Sequence, residues 1–306
     1  MTELPLEEPR WIDITTSDVP LKAWAWGPEE GPLALCLHGF PDPAYGWRKV
    51  APLLVAAGYR VVAPMMRGYA PSGFPLESSY HVGALMNDAL RVREAVGAGD
   101  ADLLIGHDWG AMAATGLAAM QDSPFRKAVI MSVPPAAAFQ PPGGVADPGR
   151  LAAQLPRQLL RSWYILYFQL PWLPERSARW VVPRLWRQWS PGYDATEDLQ
   201  HVFAAIGAPE RWREALGPYR ATVRNSTPPP WYADLHQHWL SAPALPVLYL
   251  HGSDDGCATA DYADWVQRIL PEGSRTAVVA DAGHFLQLEQ PQRVADLIID
   301  FASTTG

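Results

Sequence analysis

The sequence predicts an α/β fold in which a mostly parallel central sheet is flanked by helices on both faces and interrupted by one inserted, mainly helical cap. Three observations carry this. Short β-rich runs alternate with longer helical patterns at both ends of the chain, and the runs are continuously apolar, as in strands buried on both faces. The alternation stops near Pro134-Pro135 and resumes near Leu245, and the chain between reads as helical.

The candidate strands are WIDITT, LKAWAW, PLALCLH, YRVVAP, ADLLIGH and KAVIMSV, then VLYLHG and RTAVVA near the end. Residues 85–96 (LMNDALRVREAV), 109–121 and 291–302 (PQRVADLIIDFA) place apolar residues at helical spacing. The cap falls between the sixth and seventh strands. Its borders are proline-rich, PPGG at 141–144 and PPP at 228–230, and residues 135–240 hold eight of the fourteen tryptophans. The division is therefore 1–134 and 241–306 for the two parts of the core, and 135–240 for the cap.

Composition narrows the partners. A formal charge of -8 with no lysine or arginine cluster argues against a nucleic-acid surface, which needs concentrated positive charge. The start, MTELPLEEPR, lacks the basic flank and apolar stretch of a secretory signal, and no run approaches the roughly 20 apolar residues of a membrane span. Two cysteines, Cys36 and Cys257, are too few for a disulfide framework. The expectation is a cytoplasmic protein, monomer or homodimer, that meets a small molecule and neither binds nucleic acid nor inserts into membranes.

The stretch LLIGHDWGAM (103–112) carries the chemistry. Gly106 and Gly110 stand two residues either side of Asp108, between a strand and a helix, which is the context of a nucleophile elbow. An N-cap aspartate alone would not require glycine on both sides. A serine here would need a base to remove its proton, whereas an aspartate is already ionised at neutral pH. Attack by a carboxylate on an acyl carbon would give a reactive anhydride. The fitting electrophile is a saturated carbon bearing a leaving group, and the product is an alkyl ester that water, activated by a histidine, must cleave.

The chain resembles the α/β-hydrolase fold, and most closely its soluble epoxide hydrolases. The likeness runs through HGFPD (38–42), RGYAPSG (67–73), GHDWGA (106–111), WYILYFQLP (163–171) and PYR (218–220) to the acidic turn and histidine near the end. Met65 departs from it, since many relatives carry an acidic residue there.

The acid and the histidine follow the nucleophile in chain order. DAGHF (281–285) supplies His284 as the water-activating base, and HGSDDG (251–256) supplies the carboxylate that orients it. Asp255 is preferred over Asp254 because its spacing from Gly252 matches the family pattern. The oxyanion of ester hydrolysis needs backbone N-H donors, assigned to Trp109 and Phe40. The resemblance implies that the Phe40-Pro41 peptide is cis, a bond type largely confined to X-Pro.

Opening an epoxide and displacing a halide use the same nucleophile and base but stabilise different leaving atoms. An alkoxide needs a proton donor, which a tyrosine phenol can be. By resemblance Tyr164 and Tyr219 are those donors, and Phe40, Trp109, Trp163 and Tyr167 are expected to line the pocket; Tyr167 also fits simple core packing. The expected partner is an apolar epoxide, with no cofactor and no metal. Two alternatives stay open: a haloalkane or haloacetate dehalogenase, and a ligand-binding scaffold without turnover. His236 and His238, with Asp234, lack the further ligands of a metal site and are read as capping the linker into the seventh strand. His38, His81 and His251 are read as structural.

Overall fold

The computed structural model describes residues 9–304, except 78, 98, 100, 101 and 140–147. The PPGG border and most of the acidic N-terminal stretch lie outside the described residues.

Eight strands form one sheet: β1 (Arg10–Ile14), β2 (Leu21–Trp26), β3 (Leu33–Leu37), β4 (Arg60–Pro64), β5 (Leu103–His107), β6 (Lys127–Met131), β7 (Val247–Gly252) and β8 (Arg275–Val279). Their order is β1-β2-β4-β3-β5-β6-β7-β8. β2 pairs antiparallel with β1 and β4, and every other neighbouring pair is parallel. The expected α/β-hydrolase fold is therefore the observed one. Burial explains the composition of its strands: β3 to β7 are buried along their whole length, while the edge strands β1 and β8 are partly open. Each leucine or valine so buried contributes about 1.5–3 kcal/mol.

The helices are α1 (Ala51–Ala56), α2 (Val82–Ala95) and α3 (Trp109–Ala119) before the insertion. Within it lie α4 (Pro148–Arg161), α5 (Trp163–Tyr167), α6 (Ala178–Trp189), α7 (Thr196–Ile206), α8 (Pro209–Ala215), α9 (Gly217–Val223) and α10 (Pro230–His236). After it come α11 (Tyr262–Gln267), α12 (Leu286–Glu289) and α13 (Pro291–Ser303). Between β6 and β7 every described element is helical.

Two sequence expectations shift. The helix expected from Leu85 begins three residues earlier, at Val82, and its first turn is buried where α2 packs against α10. His236 does not cap the linker into β7. Its Nδ1 accepts the Gly83 amide of α2 at 3.2 Å, filling one of the first-turn donors that a helix leaves unpaired. A long-range contact of this kind leaves no local signal.

Parallel pairing sets the active end. The register Leu37↔Gly106 brings the loop after β3 beside the turn after β5, and Gly252↔Val279 brings the loops after β7 and β8 together. Ligands of open α/β sheets bind at these carboxyl ends.

Candidate active site

Asp108 occupies the turn between β5 and α3 with φ 52 and ψ -116, on the left-handed side that a non-glycine residue adopts at a cost of about 1–3 kcal/mol. The two elbow glycines are steric necessities. A Cβ on Gly106 would strike the Gly110 carbonyl, and one on Gly110 would strike the Leu37 carbonyl of β3. Small residues continue down α3, where Ala113, Ala114 and Gly116 are buried against the sheet and α2.

The loop after β3 closes on the same carboxylate. The Phe40-Pro41 bond is cis. The Phe40 amide donates to Asp108 Oδ1 at 2.7 Å, and a Cβ on Gly39 would collide with that side chain. The Trp109 amide begins α3 and so has no acceptor inside the helix. Both amides expected to hold an oxyanion therefore border Asp108.

His284 lies between two carboxylates. Its Nδ1 is 3.0 Å from Asp255 Oδ2, and its Nε2 is 3.7 Å from Asp108 Oδ2. Asp255 is buried, whereas Asp254 is exposed. The Cys257 and Ala258 amides donate to Asp255 Oδ1 at 2.6 and 3.1 Å, leaving Oδ2 for the histidine. Burial works against charge on His284, but Asp255 and then Asp108 outweigh it and push its pKa up to about 10. Burial likewise opposes the charge of Asp255, and His284 beside it holds the carboxyl below its ordinary range.

The cap fastens these loops. The Trp189 carbonyl, at the end of α6, accepts from the amides of both His284 and Gly256 at 3.0 Å. From below, the Ser132 hydroxyl donates to the His284 carbonyl at 2.7 Å, and His107 Nε2 lies 2.9 Å from it.

Tyr164 from α5 and Tyr219 from α9 meet near Asp108, their rings 5.6 Å apart and perpendicular. Tyr219 also packs edge-on against Phe40 and Trp109 at 5.1 and 5.0 Å. Burial, above all, raises both phenols well above their ordinary pKa, so both remain protonated donors. The Tyr219 hydroxyl is buried with no partner in hydrogen-bonding geometry among the described residues.

Trp163 and Tyr167 stand elsewhere. Their ring partners are each other, Tyr164, Phe168 and the exposed Trp180, on the outer side of α5. The inner wall is made instead by Phe168, Trp189 and Trp212, whose rings lie within 6.3 Å of Phe40. Phe168 could have been foreseen, because it follows Tyr164 by four residues and shares its helix face.

Two residues reach the site without a sequence signal. Cys257 Sγ is 3.5 Å from the Tyr164 hydroxyl. His251 Nε2 is 3.4 Å from Asp255 Oδ2, and its Nδ1 is 2.7 Å from the Tyr249 hydroxyl. Asp255, Cys257 and His284 bring three metal-type ligand atoms within 4.8 Å of one another. His284 Nδ1 and the Asp255 carboxylate are already engaged with each other, which is the arrangement of a base and its orienting acid.

A family profile described as the alpha/beta hydrolase fold matches residues 32–291. The AB hydrolase superfamily protein YfhM of Bacillus subtilis (strain 168) is 30% identical over 295 residues, covering 94% of this chain and 96% of its own. Epoxide hydrolase A of Mycobacterium tuberculosis is 28% identical over 316 residues, covering 94% and 95%. Among solved structures, Epoxide Hydrolase A from Mycobacterium thermoresistibile superposes with a TM-score of 0.73 at 26% identity, over 96% of this chain and 98% of that one.

Proposed function

Because the chain belongs to the α/β-hydrolase fold family, its chemistry can be derived from what this fold carries here, and we propose that it is an epoxide hydrolase converting an apolar epoxide to a vicinal diol. The observation that carries the reading is the pair of buried, protonated phenols, Tyr164 and Tyr219, beside a carboxylate nucleophile. The phenols discriminate against the dehalogenase alternative, since a halide needs no proton donor. A complete nucleophile, acid and base have no use in a scaffold that only binds ligands.

Catalysis runs in two steps. Asp108 attacks one epoxide carbon from the back, the carbon-oxygen bond breaks, and the tyrosines hydrogen-bond the departing oxygen and supply its proton. In the proton balance, that proton comes from the His284 imidazolium, so the step ends with a neutral imidazole and a hydroxyalkyl ester. Esterification also removes the Asp108 charge, one of the interactions that hold the imidazole protonated. His284 thereby becomes a base when a base is needed. It takes a proton from water, the hydroxide adds to the ester carbonyl, and the Phe40 and Trp109 amides hold the oxyanion. The diol leaves, and Asp108 carboxylate and His284 imidazolium are restored. No cofactor enters the balance.

Asp255 orients His284, and Phe40, Trp109, Phe168, Trp189 and Trp212 give the surroundings of Asp108 and the two tyrosines their apolar character. We assign the cap to residues 135–240, with α10 anchoring its end on the core. We further place the chain in a reducing cytoplasm, as a monomer or homodimer; Cys36 and Cys257 are both free and buried.

The test is a panel of terminal, internal and aryl epoxides with diol detection by mass spectrometry, run beside Asp108→Ala and His284→Gln. Diol from the parent alone, and a substrate-sized adduct trapped on His284→Gln, is the expected result. Absence of any adduct with a substrate that the parent turns over would defeat the covalent route.

A further inference from the structure

The helix that leads into the one carrying Tyr164 is turned the opposite way from an ordinary surface helix. On α4 it is the polar side chains that face the protein. Gln154 donates to Asp261 Oδ2 at 3.0 Å, Gln158 to the Cys257 carbonyl at 2.8 Å, and Arg161 to the Asp255 carbonyl at 3.4 Å. Leu155, Leu159 and Leu160 face outward. A single turn residue, Ser162, joins α4 to α5, and its amide still donates to the Gln158 carbonyl four residues back at 2.9 Å.

Leu155 and Leu159 lie one turn apart on α4, Leu166 lies on α5, and Leu170 follows that helix by three residues. All four are 44% to 68% exposed. Tyr164 and Phe168 are buried. Leu160, Trp172, Leu173 and Trp180 add exposed apolar surface within the same stretch of chain. Exposed apolar surface of this kind on a lid needs a cover.

Charge identifies the cover. From residue 152 to residue 190 there are six arginines, no lysine and a single acid, Glu175, on a chain whose net charge is -8. Glu175 is already paired with Arg220 at 2.7 Å. Arg157, Arg176, Arg179, Arg184 and Arg187 are exposed. Arg184 stacks over Trp163 and Trp180 at 5.5 and 5.7 Å, which sets positive charge against this apolar surface, and a second copy laid on it by two-fold symmetry would bring like charges together. An anionic lipid surface complements both features, because exposed leucine and tryptophan enter the headgroup boundary while arginine pairs with phosphate.

We propose that the α4–α5 face of the cap docks peripherally on anionic phospholipid bilayers, with Leu155, Leu159, Leu166 and Leu170 as its apolar contact. No helix among the described residues is long and apolar enough to cross a membrane, so the contact lies at the surface. The same helices hold Tyr164 and touch the carbonyls of Asp255 and Cys257, so docking sets the lid of the site against the phase in which apolar epoxides dissolve. That consequence rests on the epoxide hydrolase reading, whereas the docking does not.

The experiment is flotation of the full chain with vesicles of phosphatidylcholine alone or mixed with phosphatidylglycerol, at low and high salt. Binding to the mixed vesicles, weakened by salt and reduced roughly tenfold or more in Leu159→Glu/Leu166→Glu, is the expected result. Turnover of a water-soluble epoxide and the thermal melt should match the parent in that variant, which separates lost docking from lost folding. If the enzyme reading fails, the melt and the flotation still decide the docking. No binding to anionic vesicles, binding that the double variant retains, or a parent dimer that the double variant dissociates would each overturn the proposal.

Discussion

The sulfur of Cys257 lies 3.5 Å from the hydroxyl of Tyr164, while the amide of the same cysteine donates to Asp255 at 2.6 Å. One residue therefore links Asp255, the acid proposed to orient His284, to Tyr164, a proposed proton donor. Burial, and after it the charges of Asp255 and Asp108, push the thiol well above its ordinary range, so it stays protonated. A thiol is a weak partner that can steady the phenol without holding it away from an epoxide oxygen. Cys257→Ala should slow the alkylation step about two- to tenfold, the worth of one modest hydrogen bond, and leave ester hydrolysis unchanged. Cys257→Ser should restore most of the loss. Single-turnover measurement of adduct formation separates the steps, and equal alkylation rates in all three proteins would remove the role.

The position of His284 between two carboxylates makes the two steps respond differently to pH. In the resting enzyme the imidazolium persists to about 10, so alkylation should fall only as pH approaches that value. In the ester the Asp108 charge is gone, so hydrolysis should rise with pH through a midpoint below 10. A shared midpoint for both rates would contradict the proton balance given above. Stability follows the same sign. A histidine whose pKa is raised on folding contributes fully below its unfolded value of about 6.5, and that contribution is lost as pH rises through about 10. The stability gap between the parent and His284→Gln, read by denaturant titration, should narrow over that interval.

How far the sequence reached depends on whether the information was local. The elbow was legible because Gly106 and Gly110 are needed where backbone meets backbone, and the requirement sits within five residues. The parallel sheet was legible because β3 to β7 are apolar along their whole length. Trp163 is adjacent to Tyr164 and so points along a different side of the helix, whereas Tyr167, three residues on, has Trp163, Phe168 and Trp180 as its ring partners, which spacing alone does not reveal. The contact of Cys257 with Tyr164, and that of His251 with Asp255, join elements far apart or depend on a turn's exact path, and neither has a periodic trace.

Arg67 shows what a buried charge contributes away from the chemistry. Its guanidinium binds Asp88 through Nε at 2.8 Å and Nη2 at 2.7 Å, and Nη1 reaches Asp18 at 3.0 Å and the Ser79 carbonyl at 2.7 Å. Arg67→Met would leave Asp88 buried without its cation, at a cost of about 3–5 kcal/mol. Thermal unfolding should move down by roughly ten degrees. Arg67→Met/Asp88→Leu should recover much of the loss, since the penalty comes from the orphaned charge. Additive losses in the double variant would show that the two residues act independently.

Gly39 is the most direct probe of the oxyanion site because it touches the nucleophile without contributing a side chain. A methyl group there would collide with the Asp108 carboxylate and come within 2.7 Å of the Trp109 amide. The loop after β3 would have to retreat, taking the Phe40 amide out of reach of Asp108. Loss of one oxyanion donor costs about 10²–10³ in rate, so Gly39→Ala should slow ester hydrolysis by that order. Adduct should then accumulate on an enzyme whose histidine and acid are both intact, as is expected when the base itself is removed. Mass spectrometry of the protein during turnover reads this directly. Hydrolysis at the parental rate would mean that the amides of Phe40 and Trp109 do not carry the oxyanion.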